Sequence, residues 1–128
     1  MRFLIVDDTD RARRSMKALL EVWHPHEELR EASNGTEAFQ LAEEFQPDII
    51  LMDARMPGMG GLEATRLIKT KWPQIKIIIL SVFLDYQPRA MAAGADGFIS
   101  KSDPPETLRK MLAELLQKST TGKTQSGG

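Results

Sequence analysis

Cysteine is missing from this chain of 128 residues, which excludes disulfides, thiolate nucleophiles and cysteine-based zinc sites. Long apolar runs are missing too. The first, Phe3-Leu4-Ile5-Val6, halts at two acids, too short for a secretory core, and no window approaches a membrane span. A cytoplasmic protein with no membrane contact is the expectation. Nor is there an excess of either charge. Seventeen basic residues against 18 acidic ones leave −1, so direct nucleic-acid binding by this chain is not expected. No internal repeat is visible. What remains is 41% hydrophobic and 27% charged, which suits one globular domain with a core that needs no staple.

Four short apolar runs stand out: Phe3 to Val6, Ile49 to Met52, Ile77 to Leu80, and Phe98-Ile99. None alternates polar with apolar residues, so both faces should be covered, as in a parallel sheet. Glu28 to Ala32 is polar enough for an edge strand. Helical stretches lie between. Ala12, Met16, Leu19, Leu20 and Trp23 recur at helical spacing before Pro25. Asn34-Gly35 opens a second helix over Thr36 to Phe45, and a third should run from Leu62 to Lys71. A short fourth is expected near Tyr86 to Ala93, with Gly94 as its left-handed stop. In the fifth, Leu108, Met111, Leu112, Leu115 and Leu116 make one apolar stripe. Five strands alternating with five helices predict a doubly wound α/β domain. The flavodoxin-like strand order 2-1-3-4-5 puts the two least apolar strands at the edges. The domain should span residues 1–118. The Ser/Thr/Gly-rich stretch 119–128 has no apolar period and reads as a flexible tail or linker.

The chemistry lies where the runs end. Asp7-Asp8 closes the first, Asp53 the second and Ser81 the third, and Lys101 follows the short fourth. In a parallel sheet these ends gather along one edge. Each has a plain structural reading as well. Asp7-Asp8 could cap a helix, Ser81 could satisfy a local backbone group, and Lys101 could be an ordinary surface lysine. After Asp53 comes Ala54-Arg55-Met56-Pro57-Gly58-Met59-Gly60-Gly61, a tightly turning loop whose backbone can approach a ligand closely. Taken together, the set makes a phosphoryl-transfer site. Asp53 can attack phosphorus as a carboxylate nucleophile. Three clustered acids repel one another unless a divalent cation joins them, and hard oxygen ligands suit Mg²⁺. Lys101 can hold a phosphoryl oxygen as a point charge, and Ser81 can donate a hydrogen bond to another.

This pattern resembles the receiver domain of two-component response regulators. The resemblance rests on Asp7-Asp8, on Asp53 with its D-x-x-M-P-x-M-x-G run, and on Ser81, Gly94-Ala95 and Lys101, and it covers about residues 2–118. It implies that Asp53 is the phosphoacceptor, served by the phosphohistidine of a sensor histidine kinase or by a phosphotransfer protein. It also implies that Asp7, Asp8, Asp53 and the backbone carbonyl of Arg55 hold Mg²⁺. Ser81 would be the switch hydroxyl, Phe98 the switch aromatic and Lys101 the basic residue of the site. Such a module is not an enzyme toward other substrates, because it catalyses only its own phosphorylation and dephosphorylation. The switched surface would be the fourth helix, fifth strand and fifth helix, and a phosphorylation-dependent homodimer is open to it. The chain departs from the usual pattern in three places. Ser102-Asp103 stands between Lys101 and Pro104, where many receivers have proline directly. Val82 is bulkier than the common residue after the hydroxyl, and Phe98 lacks a phenolic oxygen.

Two rivals fit less well. A haloacid-dehalogenase-type phosphatase wants a second acid two residues after the nucleophile, where this chain has Arg55. A flavodoxin-like carrier wants hydroxyls after the first strand, where Asp7-Asp8-Thr9-Asp10 would repel a flavin phosphate. Three weaker features have plain readings. His24-Pro25-His26 reads as a surface loop and Met56, Met59, Met91 and Met111 as packing residues. Arg11, Arg13, Arg14 and Lys17 read as a solvated basic face, with docking of an acidic kinase or phosphotransfer partner as the functional alternative. The stretch Leu80 to Lys101, with its loop Ser81-Val82-Phe83-Leu84 and with Lys101-Ser102, looks more like receivers that precede DNA-binding domains than like stand-alone ones, and either output is open.

Overall fold

The computed structural model describes the backbone of residues 1–127 and the side chains of residues 1–117. Strands and helices alternate: β1 (Arg2–Val6), α1 (Asp10–Trp23), β2 (Glu28–Ala32), α2 (Gly35–Phe45), β3 (Ile49–Asp53), α3 (Gly61–Lys71), β4 (Lys76–Ser81), a 3-10 turn (Leu84–Tyr86), α4 (Gln87–Ala92), β5 (Gly97–Ser100) and α5 (Pro105–Gly127). All pairings are parallel, in the order β2-β1-β3-β4-β5. This is the expected flavodoxin-like arrangement. The backbone of α5 continues through 119–127, where a tail was expected; the side chains from 118 on and residue 128 lie outside the described residues.

The uninterrupted apolar runs have the expected cause. Every residue of β3 is buried, because successive side chains enter two different cores. Leu4, Val6, Ile50, Met52, Ile77 and Ile79 pack with residues of α2, α3 and α4 on one side. Phe3, Ile5, Ile49, Leu51, Ile78 and Leu80 pack with Leu20 of α1 and Leu108, Leu112 and Leu115 of α5 on the other. Register then levels the strand ends. Val6 lies opposite Met52, Asp53 opposite Leu80, and Ser81 opposite Ser100.

Local signals explain the helix ends. Thr9, rather than either adjacent acid, caps α1 by accepting from the Ala12 amide. Asn34 caps α2 through a 2.8 Å bond from the Glu37 amide. Helices α2 and α3 each begin one residue earlier than expected, at glycines. Gly35 has no room for a side chain beneath the Met59 carbonyl, and Gly61 has none against Asp53. The fourth helix is shorter than expected because the 3-10 turn takes its first residues. It stops in a Schellman closure: Ala95 donates to the Ala90 carbonyl and Gly94, at φ 102°, to Met91.

Among the described residues, the Thr65 hydroxyl on α3 is the buried side-chain polar atom left without a partner. Replacing it with an apolar group of the same shape removes that penalty, and valine is close to threonine in helix propensity. Thr65→Val should therefore raise stability by about 1 kcal/mol. The check is a denaturant midpoint at unchanged slope; a lower midpoint would mean that the hydroxyl has a partner.

Candidate functional site

Three strand ends and one loop build the site. Asp7 follows β1 directly and its amide donates to the Ala32 carbonyl at 3.1 Å, so its backbone continues the sheet. One carboxylate oxygen accepts from the Thr9 amide and hydroxyl, at 3.0 and 3.1 Å. The other accepts from the Lys101 ammonium at 3.1 Å. Asp8 is exposed beside it. Asp53 is the last residue of β3, 8% exposed, and lies 3.3 Å from the same ammonium. Gly61 supports it from behind: a Cβ there would stand 2.0 Å from the Asp53 carbonyl oxygen. Gly61 thus serves close packing at the start of α3, whereas a Cβ at Gly60 would make only an ordinary contact with the Ala54 carbonyl at 3.4 Å.

Lys101 is held by a loop that no proline shapes. Its amide donates to the Ser81 carbonyl at 2.8 Å. Asp103 accepts from the Ser100 amide at 3.1 Å, and the Ser100 hydroxyl oxygen accepts from the Ser102 amide at 3.1 Å. No cis peptide occurs among the described residues. These side-chain-to-backbone bonds are the local competitors of regular structure that serine and aspartate favour. The Ser-x-Ser-Asp spacing carried that signal, yet Ser100 was not picked out from the sequence and Asp103 only as a departure from the usual pattern.

Electrostatics follows from burial. Desolvation pushes the Asp53 carboxyl above its ordinary value; the Lys101 charge pulls it back, and the Asp7 charge raises it again. Hydrogen bonds from Lys101 and from the Arg55 backbone oppose the rise without cancelling it. For Lys101, desolvation acts downward, and the charges of Asp53 and Asp7 outweigh it, leaving the ammonium raised.

Among the described residues, Asp7, Asp8 and Asp53 form the group of acids that could hold a metal ion, with one oxygen from each lying within 4.8 Å of the others. Magnesium bonds of about 2.0–2.1 Å ask for hard oxygens on an octahedron, and this donor set fits once the oxygens draw in slightly. Charge agrees with geometry. Three carboxylates against one ammonium leave two negative charges, which one divalent cation neutralises.

A cavity of about 240 Å³ opens beside this group, lined by Asp53, Arg55, Ser81, Val82, Phe83 and Lys101. Ser81 is buried, and its hydroxyl oxygen accepts from the Phe83 amide at 3.0 Å. Arg55 lies two residues past Asp53 with its guanidinium over the Phe83 ring, 5.2 Å from the centroid. Phe83 had not been singled out from the sequence. Phe98, on β5, is partly buried and packs against the core shared with α4; it does not line the cavity. Asp7, Asp53 and Lys101 are therefore in direct contact, with Asp8 completing the acid group. Ser81 and Arg55 border the space, and Phe98 stands outside it.

The weaker features resolve differently. Arg13 is no free member of a basic face: it pairs with Asp10 and Glu31 and donates to the Asp7 carbonyl. Arg11, Arg14 and Lys17 are exposed. His24 stacks on Phe3 at 5.3 Å. Met91, expected in packing, is 47% exposed. Among the described residues no helix is long and apolar enough to cross a membrane.

Comparison with known proteins agrees with this geometry. Residues 3–113 match the family model of the response regulator receiver domain. The chain is 37% identical over 114 residues to the transcriptional regulatory protein LnrK of Bacillus subtilis, covering 88% of this chain and 52% of that protein. It is 37% identical over 118 residues to the response regulator GacA of Pseudomonas aeruginosa, covering 91% and 55%. The chain thus spans about half the length of the curated relatives it matches. A LuxR-family two-component response regulator from Aurantimonas superposes with a TM-score of 0.82 at 34% identity, covering 91% of this chain and 85% of that one.

The raised carboxyl of the buried Asp53 has a consequence for stability. A group whose pKa is raised on folding contributes stability below its unfolded pKa, and that contribution is lost as pH rises through the folded value. At neutral pH without a cation, Asp53 therefore opposes folding. Asp53→Asn should raise the melting temperature of the chelator-treated protein at pH 7, and the advantage should vanish in acid. A lower Tm for the variant at neutral pH would refute this account.

Proposed function

Because the chain belongs to the response regulator receiver family, we propose that Asp53 accepts a phosphoryl group from the phosphohistidine of a sensor histidine kinase or a phosphotransfer protein. The observation that supports this reading best is the Lys101 ammonium placed within 3.3 Å of two acids at the ends of different strands. A lysine so placed has no structural need for a second buried acid, whereas a phosphoryl site needs both.

In the transfer, a carboxylate oxygen of Asp53 attacks phosphorus in line. A P–O bond forms, the P–N bond breaks, and its electron pair goes to the imidazole nitrogen, which takes up a proton. Lys101 holds a phosphoryl oxygen and offsets charge as it develops. The Ser81 hydroxyl donates to another phosphoryl oxygen. Asp7, Asp8, Asp53 and the Arg55 backbone carbonyl would hold Mg²⁺, which when bound supplies the charge that lets two anions meet. Loss of the group is hydrolysis: water attacks phosphorus, the bond from the Asp53 oxygen to phosphorus breaks, and inorganic phosphate leaves with the carboxylate restored.

The response is a two-state change. Ser81 turns toward the phosphoryl group, Phe98 repacks into the space behind it, and the surface of α4, β5 and α5 changes. Phosphorylated chains are free to pair through such a surface. With relatives about twice as long and one of them named as a transcriptional regulator, the output we favour is a receiver that governs an attached DNA-binding part. The alternative is a receiver that works through protein–protein contact alone.

Incubation with acetyl phosphate should add the mass of one phosphoryl group, dependent on Mg²⁺ and absent in Asp53→Asn. An unchanged mass, or modification that persists in Asp53→Asn, would remove the reading. Val82 lines the cavity and is 58% exposed, and we infer that its bulk crowds the attacking water. Val82→Ala should shorten the phosphoryl lifetime several-fold, measured as decay of the phosphoprotein after desalting; an unaltered decay would clear Val82 of that role.

A further inference from the structure

The cavity beside Asp53 is bordered by a cation that the reading above leaves unused. Arg55 projects its guanidinium over the Phe83 ring at 5.2 Å, and both line the space with Asp53, Ser81 and Lys101. Among the described residues Arg55 makes no ion pair, whereas Lys101 already serves two acids. We propose that Arg55 is a ligand of the phosphoryl group, and that its guanidinium leaves the Phe83 ring to bind a phosphoryl oxygen once Asp53 is esterified. This rests on Asp53 being the phosphoacceptor.

Charge supplies the driving force. Esterification replaces a monoanion with a group of nearly two negative charges, so the pocket gains about one charge that Lys101 cannot also neutralise. A guanidinium presents a planar fork to phosphate oxygens and forms charge-assisted bonds with them. A cation–π contact at a surface is the weaker alternative, and Phe83 is 44% exposed. Arg55 lines the same cavity as Asp53 and Lys101, and the Phe83 ring that its guanidinium covers lines it too.

The consequence falls on Phe83, which has two ties to this pocket. Its ring is covered by Arg55, and its amide donates to the Ser81 hydroxyl oxygen at 3.0 Å. Both partners would be claimed by the phosphoryl group. The ring also meets Tyr86 edge-on at 5.9 Å, and Tyr86 carries the Arg89 guanidinium at 5.0 Å. Freeing Phe83 therefore loosens the 3-10 turn that leads into α4. Charge at Asp53 reaches that helix through Arg55 and Phe83, independently of Phe98.

The test uses the whole chain with acetyl phosphate and Mg²⁺, reading intact mass and NMR on the same samples. On phosphorylation the Arg55 side-chain Nε–H should shift and become protected from exchange. Exchange at the Phe83 amide should rise about tenfold, the loss of roughly one hydrogen bond. Arg55→Ala should show faster exchange at residues 83–86 before phosphorylation and, compared at equal phosphoryl occupancy by intact mass, should respond less to it. Arg55→Lys, which keeps the charge and loses the fork, should fall between the two. A full mass gain with the Arg55 and Phe83 signals unmoved overturns this inference alone. No mass gain in the unsubstituted protein removes the phosphoacceptor reading and this inference with it.

Discussion

The contact on which the site depends is the Lys101 ammonium between Asp7 and Asp53. Two buried acids so close repel each other, and desolvation already acts against the charge on Asp53. The ammonium holds them together at a cost that falls on Asp53, whose carboxyl stays raised. A site held this way is stable enough to persist and charged enough to accept a cation. Its remaining negative charge is what a divalent ion would satisfy.

The sheet makes that contact reachable. Register sets Val6 against Met52, Asp53 against Leu80 and Ser81 against Ser100, so side chains from four segments meet at one edge. The two cores that bury the strands from both faces leave little freedom for the ends to shift. Gly61 reinforces this, since its missing side chain lets the start of α3 lie directly against the Asp53 carbonyl. Rigidity on the side of Asp53 contrasts with the exposed run Val82, Phe83 and Leu84 opposite it. The two-state response proposed above would set this buried acid against that exposed loop.

Strand count, helix count and strand order were legible because apolar runs without alternation have few architectures open to them. Asp7, Asp8, Asp53, Ser81 and Lys101 were legible as candidates because each closes or follows an apolar run, and run ends share an edge. Helix starts at Gly35 and Gly61 were not, since those glycines answer to contacts with Met59 and Asp53 that only the fold creates. The length of the fourth helix was missed because a 3-10 turn and a helical first turn share the same residue preferences. Phe83 escaped notice for a similar reason: an aromatic in a loop acquires meaning only when a guanidinium is found above it.

The amino-acid order alone determined which elements form, which strands lie inside and which acids could share an edge, because these depend on local periodicity and on where apolar runs stop. Tertiary structure decided the rest. It gave Lys101 two acids to hold, set the Ser81 hydroxyl on the Phe83 amide, and tied Arg13 to Asp10 and Glu31 instead of leaving it on a free basic face. Those outcomes depend on distances between segments far apart along the chain, and such distances are fixed by packing and register.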